Sequence, residues 1–201
     1  GAVEILTSQQ MRHVDRRAVR RFGLPEIVLM ENAGLRVFEV LKSIEDDLRA
    51  RRILLLCGKG NNGGDAFVLA RHLRNAGIPF NALLFGRRDE VRGSAATNLR
   101  ILERMGIAPR EVRGAAAWKD AWKALASSDL IVDGILGTGL SRPVAGFLAT
   151  VFEDVNAAGA RVVAVDIPSG LSGDTADVPG PCIRADHTVT FVRPKIPHVF
   201  P

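Results

Sequence analysis

The sequence predicts a doubly wound α/β fold, in which a pair of N-terminal helices precedes a mostly parallel sheet. Three observations lead to this prediction. Short apolar runs alternate with amphipathic stretches, which is the order of elements in a parallel sheet with helices on both faces. Several of the runs are apolar at every position, as in strands that are covered on both sides. Several of the amphipathic stretches end in glycine, a common signal for the C-terminal end of a helix.

The elements follow one another in a regular order along the chain. Two helical stretches come first: Thr7 or Ser8 can cap the first of them, and Pro25 opens the second. The strands predicted after them are RILLLC, FNALLF, DLIVDGIL, RVVAVDI and HTVTFV. The helices predicted between the strands are GGDAFVLARHLRNAG, GSAATNLRILERMG, AAAWKDAWKALASS and GFLATVFEDVNAAG. Because the sequence has no repeat and no long linker, residues 1–201 are expected to form a single domain.

The composition is typical of a soluble globular protein, with 47% hydrophobic and 24% charged residues. No apolar run reaches the roughly 18 residues that cross a bilayer, so no membrane partner is expected. The net charge of +5 comes from arginines interleaved with acids, and only 5% of the residues are aromatic, with no tyrosine. A nucleic-acid partner is therefore not expected either. The two cysteines form no C-x-x-C pair, which favours a reducing, cytoplasmic compartment.

Polar clusters follow three of the predicted strands, at the point where each strand ends. GKGNNGGD follows RILLLC, Asp133 and a glycine turn follow LIV, and Asp166 with Ser169 follows RVVAV. In open α/β sheets, ligands bind beyond the carboxyl ends of the strands. Each of these residues alone could be a turn or capping residue. Because the ends of three parallel strands share one edge of the sheet, the three clusters together predict one ligand-binding crevice.

The glycine-rich loop GKGNNGGD allows two interpretations. Gly58, Gly60 and Gly63 satisfy G-x-G-x-x-G, the pattern of dinucleotide-binding loops. That pattern needs an acid at the end of the second strand, but Arg87 and Arg88 lie there instead. Arginine at that place could hold a 2′-phosphate, so an NADP-dependent oxidoreductase remains an alternative. This alternative leaves the two asparagines and the aspartate of the loop without a role.

Three long stretches of the sequence resemble a known family. They are CGKGNNGGDAFVLARHL, VDGILGTGLSRPVAG and VVAVDIPSGLSGDT, and they strongly resemble the YjeF N-terminal domain, the NAD(P)H-hydrate epimerase family. The N-terminal LTSQQMRHVDRRAVRRFGLPEIVLMENAG and the late ADHTVTFVRPK resemble it too. The similarity covers nearly the whole chain in the family's order, and NNGGD together with DIPSG is specific.

The resemblance implies a fold and a repair reaction. The fold is a Rossmann-like three-layer α/β/α arrangement. The implied reaction is the interconversion of the R and S forms of hydrated NADH and NADPH (NADHX and NADPHX) at nicotinamide C6. It allows a partner dehydratase that is specific for the S form to restore the cofactor. A non-catalytic nucleotide-binding or scaffold homologue is the alternative from a different class.

The resemblance also implies how the chain is organised. Residues 1–201 would be a single domain of this type, either standalone or cut from a longer chain that continues into a dehydratase domain. Family members commonly self-associate, so a homodimer is expected. The apolar stretch IVLMENAGLRVFEVL is the candidate interface, and packing of this stretch on its own sheet is the alternative.

Carried over residue by residue, the family's site falls on the three strand-terminal clusters. Asn62, Asp133 and Ser169 are expected to bind a potassium ion through hard oxygen atoms. Asp166 is expected to move the proton of the hydroxyl group that leaves or returns at C6. Arg142 stands where some family members carry a lysine. The expected substrate contacts are Asn61, Asn62, Gly63, Gly64, Asp65, Gly137, Thr138, Gly139, Leu140, Ser141, Arg142, Pro143 and Asp166.

Overall fold

The centre of the protein is a six-stranded sheet in which every strand is parallel to its neighbours. The computed structural model describes residues 10, 13, 14, 17, 20–140, 142–174 and 180–191. The strands are β1 Ile53–Cys57, β2 Phe80–Phe85, β3 Arg110–Val112, β4 Leu130–Gly134, β5 Arg161–Val165 and β6 His187–Val189. They lie side by side in the order β3-β2-β1-β4-β5-β6.

Helices cover both faces of the sheet. They are α1 Glu26–Ile44, α2 Asn61–Asn75, α3 Gly93–Arg104, α4 Ala115–Leu125 and α5 Phe147–Ala157, with short 3-10 turns at Leu48–Ala50 and Arg88–Glu90. One apolar cluster joins α1, α2 and α3 to one side of the sheet through residues such as Leu55 and Phe67. A second joins α4 and α5 to the other side through residues such as Leu56 and Trp118. The three-layer α/β/α arrangement is therefore confirmed. None of the described helices is both long enough and apolar enough to span a membrane.

The predicted elements after the N-terminal helices are all present, with differences at the sheet edges. The second N-terminal helix is α1, with Pro25 at its N-cap; Thr7 and Ser8 lie outside the described residues. The strand predicted from HTVTFV ends early, since β6 stops at Val189. The prediction missed β3 because two of its three residues are charged, as an edge strand tolerates.

The register of the central strands places the three polar clusters side by side. β1 is buried at all five positions, and its register with β4 pairs Leu56 with Asp133. Asp133 pairs in turn with Ala164 of β5. The chain segments that leave β1, β4 and β5 therefore emerge at one edge of the sheet, where the crevice was predicted.

Glycines allow α1 to pack closely on α2 near this edge. An added Cβ at Gly34 would lie 2.4 Å from the Cβ of Val68, and one at Gly64 would lie 2.6 Å from the Cε of Met30. Interiors packed at crystal-like density leave no room for a further carbon atom at such distances. The N-terminal half of α2, which begins in the glycine-rich loop, is thus held against α1.

Candidate active site

The loop after β1 packs backbone against backbone with the loop after β4. An added Cβ at Gly58 would lie 1.8 Å from the carbonyl oxygen of Ile135, and one at Gly63 would lie 1.9 Å from the carbonyl oxygen of Gly58. The Gly58 N–H also donates to the Gly134 carbonyl at 2.9 Å. Only glycine fits at positions 58 and 63, so the glycine-rich motif first of all joins the two loops. Gly60, in contrast, faces open space.

Asn62, Asp133 and Ser169 meet around the main chain of Leu136. The Ser169 hydroxyl donates to Asp133 Oδ1 at 2.6 Å, and the Ser169 N–H donates to Asp133 Oδ2 at 2.7 Å. The Asn62 amide donates to the Leu136 carbonyl at 2.9 Å, and the Leu136 N–H donates to Ser169 Oγ at 2.8 Å. The structure therefore brings the three predicted ion ligands into one cluster: Asn62 lies in α2, Asp133 in β4, and Ser169 in the segment after β5.

The Asp133 carboxylate places a charge in the interior of the protein. The exposed fraction is 0% for Asp133 and Ser169 and 7% for Asn62. Burial raises the pKa of Asp133 to about 6, although hydrogen bonds from Ser169 and Ile135 act to lower it. Within the described part of the chain, no lysine or arginine forms an ion pair with Asp133. Because buried charges are stable when paired or bound to a metal, the Asp133 carboxylate is the group in this cluster that a cation would neutralise.

Asp166 lies in a strained three-residue turn directly after β5. Its φ is +63°, the only positive φ of a non-glycine residue in the part of the chain described. The Ile167 N–H donates to the Val165 carbonyl across this turn at 2.8 Å, and the Asp166 N–H donates to the Val189 carbonyl at 2.8 Å. The Thr190 hydroxyl donates to Asp166 Oδ1 at 3.3 Å. Strain of this kind costs about 1–3 kcal/mol and persists where the surrounding structure imposes it, commonly at functional sites.

The other predicted substrate-contacting residues lie in the first turn of α2 and in the segment after β4. Gly137 is next to the ion-ligand cluster, since an added Cβ there would lie 3.5 Å from the Cβ of Asn62. Ser141 lies outside the described residues. Of the remainder, Gly63, Gly64 and Asp65 are buried, Gly137, Thr138 and Leu140 are half-buried, and Asn61, Gly139, Arg142 and Pro143 are exposed.

The end of β2 is occupied by ion pairs. Arg87 and Arg88, the candidates for a 2′-phosphate site, both pair with neighbouring carboxylates. The Lys59 side chain crosses Gly86, where an added Cβ would lie 2.4 Å from Lys59 Cδ, and its Nζ lies 3.3 Å from Glu90 Oε2. In dinucleotide-binding folds, a residue at the end of the second strand binds the ribose. The arrangement gives no support to the NADP-dependent oxidoreductase alternative.

Two contacts at the site involve groups outside the set of predicted site residues. The Leu136 carbonyl accepts from the Asn62 amide and lies 3.2 Å from Ser169 Oγ, and a main-chain oxygen leaves no signal in residue type. Glu26 Oε1 accepts from the Asn61 amide at 3.1 Å, so α1 reaches the glycine-rich loop. Pro25 predicts from the sequence where α1 begins, but only the fold shows that this end of α1 lies beside the glycine-rich loop.

A segment from later in the chain holds Ser169 in position. The Ile183 N–H donates to the Ser169 carbonyl at 2.8 Å. The side chain of Asn156, in α5, fixes the main chain on either side of Ile183: it donates to the Cys182 carbonyl at 2.8 Å and accepts from the Arg184 N–H at 2.7 Å. The position of the Ser169 hydroxyl therefore depends on a helix outside the crevice.

Known proteins share both the sequence pattern and the fold. The family model described as YjeF-related protein N-terminus matches residues 26–196. A bifunctional NAD(P)H-hydrate repair enzyme Nnr from Moorella thermoacetica is 45% identical over 96% of this chain, which spans only 36% of that protein's length. An NAD(P)H-hydrate epimerase from Rhodopirellula baltica is 41% identical over 95% of this chain and 75% of its own length.

A solved structure has the same architecture. The crystal structure of yeast YNL200c matches with a TM-score of 0.82, covering 96% of this chain and 82% of that chain, at 21% sequence identity. At that identity the likeness shows the fold alone. The family model and the Rhodopirellula relative add the sequence evidence, since each match extends over most of this chain. The chain belongs to the family of YjeF-related protein N-terminal domains.

Proposed function

We propose that this chain interconverts the R and S forms of hydrated NADH and NADPH at nicotinamide C6, as an isomerase of nicotinamide nucleotide repair. Relatives named NAD(P)H-hydrate epimerase, which are 36–41% identical over most of this chain, support the proposal. The observation that carries it is the geometry at the sheet edge. Asp166 is held in a strained turn three residues before Ser169, where the loops after β1, β4 and β5 meet.

Asp166 is the group that moves the proton. Inversion at C6 requires a bond at that carbon to break and to be remade from the other face of the ring. A carboxyl group can protonate the hydroxyl, which departs as water, and its carboxylate can accept a proton from the water that adds back. The turn and β6 fix the backbone of Asp166, which holds its carboxyl group ready at the sheet edge.

The two glycine loops hold the rest of the substrate. α2 begins at Asn61, and the N-terminal end of a helix favours a pyrophosphate group. Gly137 lies beside Asn62, at the start of α2. The main-chain N–H groups of residues 137–139 are therefore close to that helix end and would bind the same pyrophosphate group. The exposed Arg142 adds positive charge to this loop, which attracts an anionic substrate.

Potassium is the cofactor proposed for the cluster of Asn62, Asp133 and Ser169. An amide, a carboxylate and a hydroxyl supply hard oxygen atoms, which suit an alkali cation. Groups of three or more His, Cys, Asp or Glu side chains that could hold a metal are not found among the described residues. A potassium ion bound there would neutralise the buried Asp133 and join the three loops.

Potassium should therefore raise the melting temperature more than sodium does. At about ten times the dissociation constant, potassium would raise the free energy of unfolding by about 1.4 kcal/mol and the melting temperature by about 3–5 °C. Scanning fluorimetry in KCl and in NaCl at equal ionic strength measures the difference. Ser169→Ala should abolish it, whereas Ser128→Ala, at a buried serine bonded to Leu125, should preserve it. Equal melting temperatures of the wild type in both salts would count against the site.

Chromatography of the two epimers tests the catalytic proposal. Purified protein mixed with the R form of hydrated NADH or NADPH should produce the S form faster than a sample without protein. An NADP-dependent oxidoreductase would instead oxidise or reduce a second substrate with the ordinary cofactor. Binding of the hydrate without interconversion would favour the non-catalytic scaffold alternative.

A dehydratase is the proposed functional partner, either fused or separate. Relatives named bifunctional NAD(P)H-hydrate repair enzyme are much longer than this chain, which supports a second activity on the same polypeptide. Hydrated NADH and NADPH are the proposed substrates, and the S form passes to the dehydratase. The proposed location is the cytoplasm, where free thiols such as Cys57 and Cys182 remain reduced.

The N-terminal helices are the proposed interface of a homodimer. α1 packs one face on its own domain through Met30, Gly34, Val37 and Leu41. The large hydrophobic side chains that are exposed in the described part of the chain all lie near or before the start of α1: Val14, Phe22, Leu24 and Val28. A second copy of the chain would cover this apolar surface.

Light scattering should give twice the monomer mass of 21.7 kDa. Val28→Glu should yield a folded monomer, because this side chain is 39% exposed within one chain. Ser43→Glu, at an exposed position near the other end of α1, should leave the dimer intact. A monomer mass for the wild type at micromolar concentration would refute the dimer.

A further inference from the structure

The edge strand β6 brings Thr190 beside Asp166. β5 and β6 pair in parallel, with Val165 opposite Val189, and the chain continues directly from each into Asp166 and Thr190. The Asp166 N–H donates to the Val189 carbonyl at 2.8 Å, and the Thr190 hydroxyl donates to Asp166 Oδ1 at 3.3 Å. The same short segment therefore anchors both the main chain and the carboxyl group of Asp166.

The anchoring matters because the main chain of Asp166 is not in a relaxed conformation. A residue at φ +63° keeps that conformation only while its neighbours impose it. The Ile167 N–H closes the turn on one side, and the Val189 carbonyl holds it on the other. The main-chain bonds fix where the side chain of Asp166 starts, and the Thr190 hydroxyl contacts its carboxyl group directly.

We propose that Thr190 is a positioning residue for the epimerisation, because its hydroxyl sets the rotation of the Asp166 carboxyl group. The inference rests on the proposed function and on the role of Asp166 in it. Proton transfer depends on a geometry held to within a few tenths of an ångström, so a carboxyl group that is less well oriented is a poorer acid and base. Thr190 acts through Asp166.

The threonine two residues earlier, within β6, offers a matched control. Thr188 lies inside the strand, whereas Thr190 directly follows it. In the register of the sheet Thr188 pairs with Ala164, which has no polar side chain to hold. Removal of the hydroxyl group at 188 therefore repeats the chemical change of the Thr190 variant without its contact to Asp166.

The test compares Thr190→Val, Thr190→Ser and Thr188→Val in the epimer assay. Thr190→Val should lower kcat by about tenfold, with KM and the calorimetric affinity for NADP⁺ changed by less than about twofold. Thr190→Ser, which keeps the hydroxyl, should recover most of the lost kcat. Thr188→Val should match the wild type. If Thr190→Val does not fold, as judged by its melting curve, Thr190→Ala takes its place as the variant without a hydroxyl.

Two outcomes would overturn the role of Thr190 while leaving the proposed function intact. One is a wild-type kcat in the variant without the hydroxyl. The other is an equal loss of kcat in Thr190→Ser, which would show that shape and packing matter and the hydroxyl does not. A wild type that binds NADP⁺ but does not interconvert the epimers would overturn the proposed function itself, and the role of Thr190 with it.

Discussion

Replacement of Asp166 by asparagine should lower kcat for the interconversion of the two hydrates by about 10²–10⁴-fold, the usual contribution of a general acid–base group. Asparagine has nearly the same size as aspartate and also tolerates a positive φ, so the turn after β5 should persist. It cannot release or accept the proton at neutral pH. KM should therefore change little, and the chromatographic assay of the R and S forms measures the loss of kcat.

Asp186→Asn is the matched control for this variant. Asp186 immediately precedes β6, and its Oδ2 accepts from the Val162 N–H at 2.7 Å, near the opposite end of the β5–β6 pair from Asp166. An asparagine oxygen can accept the same bond, so this variant should epimerise like the wild type. If Asp166→Asn retains more than about a tenth of the wild-type kcat, the proton moves through another group.

Replacement of Gly63 by alanine should strongly destabilise the protein. Gly63 lies inside α2, where helix propensity alone favours alanine over glycine by about 1 kcal/mol. The added Cβ would lie 1.9 Å from the Gly58 carbonyl oxygen and 2.6 Å from its carbon, and main-chain atoms cannot rotate away. Gly58 is itself fixed by Ile135 and by its bond to Gly134. We expect the clash to outweigh propensity and to lower the free energy of unfolding by about 3 kcal/mol or more.

Thermal melting shows whether helix propensity or the clash dominates, because propensity alone would raise the melting temperature and the clash would lower it. A loss of about 3 kcal/mol corresponds to a fall of about 6–12 °C in the melting temperature of a domain of this size. Gly60→Ala is the control from the same loop, because Gly60 has φ −92° and an added Cβ there would meet nothing within 4 Å. It should change the melting temperature by only a few degrees. A Gly63→Ala protein as stable as the wild type would show that the loops after β1 and β4 are not packed as described.

The sequence was sufficient to predict the elements with strong apolar patterns. β1 is buried at every position, and its run of leucines has no competing interpretation. β3 escaped prediction because Arg110 and Glu111 look like loop residues, and only the pairing with β2 makes them a strand. The sequence also could not predict the early end of β6, since the alternation of residue types in HTVTFV continues past the point where pairing with β5 stops.

The features of the site also divide into those that the sequence could predict and those that it could not. Asp133 and Ser169 could be placed together from sequence because parallel strands end at one edge, and their 2.6 Å contact agrees with that expectation. The positive φ of Asp166 and its contact with Thr190 could not be predicted from sequence, since both arise from the pairing of β5 with β6. Threonine in or next to a strand usually serves packing alone, so residue type gave no reason to separate Thr190 from Thr188.

The most direct test of the proposed epimerisation uses an S-specific dehydratase and a mixture of the two hydrates of NADH. The dehydratase alone should consume the S form rapidly and leave the R form, which disappears only at the uncatalysed rate. With this chain added, the whole mixture should return to NADH, followed by its absorbance, and Asp166→Asn should leave the R form behind. If the R form persists equally with and without the wild-type chain, the chain is not an epimerase of these hydrates.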